Sequence, residues 1–83
     1  MTHKLKTWTE FYRRIVSREK KFELRKNDRD YQVGDILILQ EYFPNLEKYS
    51  GEETAVRVVY ILHGPAFGIE KDYCVMSIQN IAD

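Results

Sequence analysis

Only one segment of this 83-residue chain carries apolar side chains at helical spacing; the other periodic segments alternate every second residue. Trp8 is followed by Phe11, Tyr12, Ile15 and Val16 at offsets of three, four, seven and eight, a single stripe with Glu10, Arg13, Arg14 and Ser17 off it. A helix is expected from about Trp8 to about Arg18. Thr7-Trp8-Thr9-Glu10 has the form of a capping box at its start, and basic residues suit the dipole at its end. One helix cannot cover both faces of a flat sheet, so a sheet this apolar is expected to curl and partly close on itself.

Lys4-Leu5-Lys6 alternates as a short edge strand. Lys21 to Arg25 alternates next, with Phe22 and Leu24 expected toward the core and Glu23 and Arg25 together on the opposite face. Asn27-Asp28-Arg29-Asp30 has turn chemistry. Ile36-Leu37-Ile38-Leu39, after Gly34-Asp35, is an unbroken apolar run expected to be buried on both faces. Pro44 to Gly51 reads as a loop, Thr54 to Leu62 as a long strand and residues 63–72 as a second loop. In the last strand, Tyr73 to Ile78, Cys74, Met76 and Ile78 alternate against Tyr73, Val75 and Ser77. The expected class is α+β, in the order strand, helix, four strands.

Length bounds this to one domain over residues 1–83 with a thin core, burying about 60–65% of the unfolded surface. Six Tyr, four Phe and one Trp compensate, because large rings bury much apolar area each. The single cysteine, Cys74, excludes an internal disulfide and suggests a reducing compartment. No apolar run approaches the roughly 18–20 residues of a membrane span, and no apolar stretch follows the basic first residues as in a signal peptide. A cytoplasmic protein with no membrane partner is expected. Formal net charge is zero, yet residues 1–30 hold ten basic and five acidic side chains, and residues 31–83 hold three and eight. One electropositive face, where anions would concentrate, is a consequence unless the fold interleaves the halves.

His3-Lys4-Leu5-Lys6, Lys20-Lys21-Phe22-Glu23-Leu24-Arg25, Asn27-Asp28-Arg29-Asp30 and Val33-Gly34-Asp35 follow one another in an order that resembles the ASCH branch of the PUA-like superfamily. The similarity is greatest to its small bacterial and phage subfamily, and it runs from His3 to about Ile78. The resemblance implies a partly closed β-barrel of five or six strands, with one N-terminal helix packed at its rim. It also implies a cleft lined by a Gly-x-Lys-x-x-Glu-x-Arg motif, whose charged positions fall here on Lys20, Glu23 and Arg25. Arg18 stands at the motif glycine. A residue with a Cβ resists a left-handed backbone, so the turn before the strand is expected to be built differently.

Lys20, Glu23 and Arg25 are the leading candidates for a ligand site. A carboxylate between two cations is held ionised and oriented to read donors on a base edge, and the cations suit phosphate or carbonyl groups. The plainer alternative is a solvated strand face with a surface ion pair worth at most about 1 kcal/mol. Arg29 would extend the cationic rim, and His3 and Lys6 would face the cleft if the first strand lies beside the motif strand. Trp8, Phe11 and Tyr12 have ring faces able to stack on bases, although their helical spacing favours core packing. His3, His63 and Cys74 share no ligand-like spacing, so neither a metal nor a cofactor is expected.

Three functions remain open. A binding module for RNA or a modified nucleoside or nucleotide fits the basic first third and the RNA-binding habit of PUA-like relatives, against the zero net charge. A small amidohydrolase acting on a modified nucleoside such as acetylated cytidine is implied by some ASCH relatives, which use a lysine and a threonine of the motif. Here Glu23 occupies the threonine position, so any catalysis would have to run through Lys20 and Glu23. A phage-type protein-interaction module is the third reading, with Glu47, Glu52, Glu53, Glu70 and Asp72 as its contact surface.

Overall fold

The computed structural model describes residues 1–81. The elements are β1 (Thr2–Trp8), α1 (Thr9–Val16), β2 (Phe22–Lys26), β3 (Ile36–Phe43), β4 (Lys48–His63) and β5 (Tyr73–Asn80). The strands form one sheet in the order β1-β3-β4-β5-β2; β1 and β3 run parallel and the other neighbours antiparallel. The class is α+β, with one helix and five strands. The sheet curls so that its two outermost strands, β1 and β2, approach each other as a partly closed barrel. These strands are consecutive in sequence, and α1 is the connection that leads from one edge of the sheet to the other.

The seam between β1 and β2 is bridged by side chains. No backbone hydrogen bond joins the two strands among the described residues. Instead Arg25 Nη2 donates to the Lys6 carbonyl at 3.0 Å, and Arg29 Nη1 donates to the Lys4 carbonyl at 3.0 Å. The two carbonyls are two residues apart, so the pleat directs both to the same edge of β1. Two arginines thus satisfy acceptors that another strand would otherwise occupy.

The core fills the curl. Leu5, Leu37, Leu39, Val56, Val58, Cys74, Met76 and Ile78 point inward from the strands, while Tyr12 and Ile15 close one end from the helix and Tyr31 packs from the β2–β3 connection. The alternation expected for β5 holds, with Cys74, Met76 and Ile78 buried. In β3 the apolar run alternates too, because Leu37 and Leu39 are buried while Ile36 and Ile38 remain partly exposed. A bulge at Val59 shifts the inward parity of β4, so that Val58 and then Ile61 face Ile78 and Met76.

Several local expectations are overturned. The helix is shorter than expected, and its N-cap is Trp8, with no side-chain cap. Thr7 still belongs to β1, and the Thr9 hydroxyl donates to Glu41 at 2.6 Å, so neither threonine closes a capping box. Only Tyr12 and Ile15 of the apolar stripe are buried, leaving Trp8, Phe11 and Val16 substantially exposed. The expected facing of β2 is inverted. Glu23 is 3% exposed, whereas Phe22 and Leu24 are 48% and 56% exposed on the outside of the sheet. Residues 48–51 belong to β4 rather than to the expected loop, accommodated by positive φ at Gly51 and a register shift around Glu41 in β3.

Arg18 also departs from expectation, since it adopts the left-handed backbone that a glycine would, with φ +70°. It follows the C-cap residue Ser17, the place where helices usually reverse. Its amide bonds the Ile15 carbonyl at 3.1 Å, and the Lys20 amide bonds the Arg14 carbonyl at 3.0 Å. These bonds recover helix-terminal acceptors and offset the cost of a side chain there, of order 1–3 kcal/mol. The turn therefore delivers Lys20 to the start of β2 without a glycine.

Candidate functional site

The inverted facing of β2 follows from what Glu23 meets inside the curl. Lys20 Nζ lies 2.7 Å from Glu23 Oε1, and Arg25 Nε lies 2.8 Å from Oε2. The Glu23 side chain is 4% exposed, while those of Lys20 and Arg25 are 16% and 24% exposed. A carboxylate this enclosed is tolerable only when both oxygens are compensated, and here each oxygen has its own cation. This is not the solvated surface pair that alternation alone would suggest.

Each cation is held in turn. The Lys20 ammonium donates to the Phe22 carbonyl at 2.6 Å and lies 4.6 Å from the centre of the Phe22 ring and 5.8 Å from that of Phe11. The second amino group of Arg25 donates to the Lys6 carbonyl and, at 3.2 Å, to the Thr7 hydroxyl. Arg25 Nη1 makes no hydrogen bond within the described residues, so one amino group of the guanidinium keeps its donor capacity.

These groups form the polar floor of a recess of about 480 Å³ that opens at the β1–β2 seam. Trp8 and Phe11 line it, their rings nearly parallel at 19° with centres 6.4 Å apart. Phe22 and Leu24 line it as well. Half-exposed aromatic walls over a few convergent charged groups, in a volume of this order, are what a small planar ligand requires. The recess comes from the junction of β1 with α1, which places Trp8 and Phe11, from the turn after α1, which places Lys20, and from β2, which places Glu23 and Arg25.

The remaining candidates divide. Lys6 lines the recess, with its ammonium 4.3 Å from the centre of the Tyr42 ring. Arg29 does not line it, because its guanidinium is committed to the Lys4 carbonyl lower on the seam. His3 does not face it either. His3 is buried, with Nε2 2.9 Å from Asp35 Oδ2 and its ring edge-on to Tyr31 at 5.0 Å. Burial raises the Asp35 pKa, but the Gln32 amide, the His3 ring and the Met1 amino group outweigh it and hold the carboxyl at about 2. This cluster fixes the start of β3 against β1. Asn27, from the turn segment, accepts from the Tyr31 amide at 3.0 Å, which is a structural role.

Trp8, Phe11 and Phe22 line the recess, whereas periodicity assigned them to the core. Stripe width was the available signal, since five large apolar residues on two turns of helix exceed what one short helix can bury. Glu41 is a third enclosed carboxylate, after Glu23 and Asp35. The Thr9 hydroxyl, with Ser50 and Arg13, holds its pKa below the usual value. No group of three or more His, Cys, Asp or Glu side chains suited to a metal ion occurs among the described residues.

Fold and site together define a small α+β domain, a partly closed barrel with a charged recess at its seam. The chain belongs to the family described as domain of unknown function DUF3850, whose profile matches residues 2–78. No curated protein matches it. Among the described residues no helix is long and apolar enough to cross a membrane.

Proposed function

We propose that this domain is a binding module for RNA or for a modified nucleoside or nucleotide, of the ASCH type within the PUA-like superfamily, working in the cytoplasm. One observation carries the reading: the Glu23 carboxylate, clamped between Lys20 and Arg25, forms the floor of a recess walled by exposed aromatic rings. A base stacked on Trp8 or Phe11 presents its polar edge to that floor. There Glu23 accepts from an amino or imino group, and the free amino group of Arg25 donates to a carbonyl or ring nitrogen. Hydrolysis finds less support, because both Glu23 oxygens already bond cations and no hydroxyl nucleophile stands at this motif position.

A thermal-shift screen of ribonucleosides, nucleotides and short RNAs tests the proposal, with calorimetry on any hit. A ligand of the native state raises the melting temperature in proportion to the logarithm of its concentration above Kd. For a short RNA, log K should fall with log salt by about 0.7 per phosphate contacted. Stabilisation by none of these compounds would remove the reading.

A further inference from the structure

Trp8 belongs to two recesses. Beyond the one that holds the triad, a second of about 430 Å³ has a lining that includes Trp8, Phe43, Pro44 and Leu46, and also Glu10 and Asn45. We infer that the two recesses take successive units of one ligand, two bases joined by a phosphodiester, with Trp8 as the wall between them. The inference rests on the proposed nucleotide-binding role and deepens it.

The chemistry of the two recesses is unequal in the way such a ligand needs. The first offers donors and an acceptor at its floor. The second has an almost wholly apolar lining, and its one charged lining residue is Glu10, which repels phosphate. It therefore suits an uncharged ring, with the Asn45 amide as its polar partner. The linking phosphate must lie between, and the cation to meet it is Lys6, which lines the first recess. Lys6 and Trp8 are both exposed on either side of the buried Thr7, so their side chains leave the same side of β1. The Lys6 ammonium rests over Tyr42, the residue that pairs with Trp8 in the parallel ladder. Lys6 is thus beside the shared wall, within reach of a group that passes over it.

The test compares the four ribonucleosides, the four homodinucleoside monophosphates and the matching pentanucleotides by calorimetry on the intact chain. The expected result is that at least one dinucleoside monophosphate binds about tenfold or more tightly than its nucleoside, the scale of one additional stacked base. Leu46→Gln, at an exposed turn position outside the first recess, removes most of that gain and leaves nucleoside affinity unchanged. Lys6→Gln flattens its salt dependence. A pentanucleotide that binds at least as tightly as the dinucleotide identifies an RNA strand as the source, and one that binds more weakly identifies a free dinucleotide. Equal affinity for nucleoside and dinucleotide, or a gain unaffected by Leu46→Gln, overturns the two-unit site and leaves the single-base reading standing. No binding by any probe overturns both.

Discussion

Arg25 reaches from β2 to the backbone carbonyl of Lys6 on β1, 3.0 Å away, across a seam with no backbone hydrogen bond among the described residues. The same guanidinium holds Glu23 through Nε at 2.8 Å. One side chain therefore joins barrel closure to the floor of the recess. Stability and ligand binding are coupled at this position, and substitutions there affect both.

Replacing Arg25 with alanine leaves Glu23 enclosed with one cation and the Lys6 carbonyl without its donor. Loss of one partner from a buried pair costs about 3–5 kcal/mol; partial exposure of Arg25 lowers this to about 2 kcal/mol. Differential scanning calorimetry should record a melting temperature lower by roughly 10 °C. Arg25→Lys should recover only part of the loss, because an ammonium cannot bond Glu23, Lys6 and Thr7 in one plane.

Trp8→Ala separates binding from stability. The indole is 51% exposed, so its loss should change the melting temperature by only a few degrees. Base–aromatic stacking is worth about 1–3 kcal/mol, so nucleotide affinity measured by calorimetry should fall about tenfold. A large fall in stability with unchanged affinity would return Trp8 to the core.

Asp35 gives the domain an acid-sensitive component. Its folded pKa, about 2, lies below the unfolded aspartate value of about 3.9. A depressed folded pKa contributes stability that is fully present above the unfolded value and is lost as pH falls through the folded one. Urea denaturation should show stability declining between about pH 4 and pH 2, by on the order of 1–2 kcal/mol from this residue. In Asp35→Asn the slope over that window should be smaller.

Gly64 leaves no room for a side chain, since a Cβ there would collide with the carbonyl of Glu70. Gly64→Ala should cost about 1–3 kcal/mol by displacing the loop between β4 and β5. Its denaturation midpoint should fall in urea.

The element order was legible because periodicity is local. Residues 8–16 repeat as a helix, and segments such as Cys74-Val75-Met76 repeat as strands. Curling followed from counting one helix against so many apolar strand positions. The facing of β2 was not legible in the same way. Alternation separates Phe22 and Leu24 from Glu23 and Arg25, but it does not say which pair faces inward, and hydropathy chose the wrong one. Glu23 goes inside because Lys20 and Arg25 neutralise it there, a matter of three-dimensional pairing. His3 was misplaced for a related reason, as its partner Asp35 lies 32 residues away, beyond α1 and β2. Strand β4 was underestimated because turn-forming Ser50 and Gly51 are carried in a strand by the register shift at Glu41.

The most direct test of the recess as the binding site is a two-dimensional amide and indole NMR titration with the ribonucleotide or short RNA that stabilises the protein most. The account predicts concentrated shifts at the Trp8 indole and at the amides of Thr7 and residues 20–25, with saturation lost in Glu23→Gln. Shifts confined to the outer face around Tyr60, Leu62 and Tyr73, with the Trp8 indole unmoved, would contradict it.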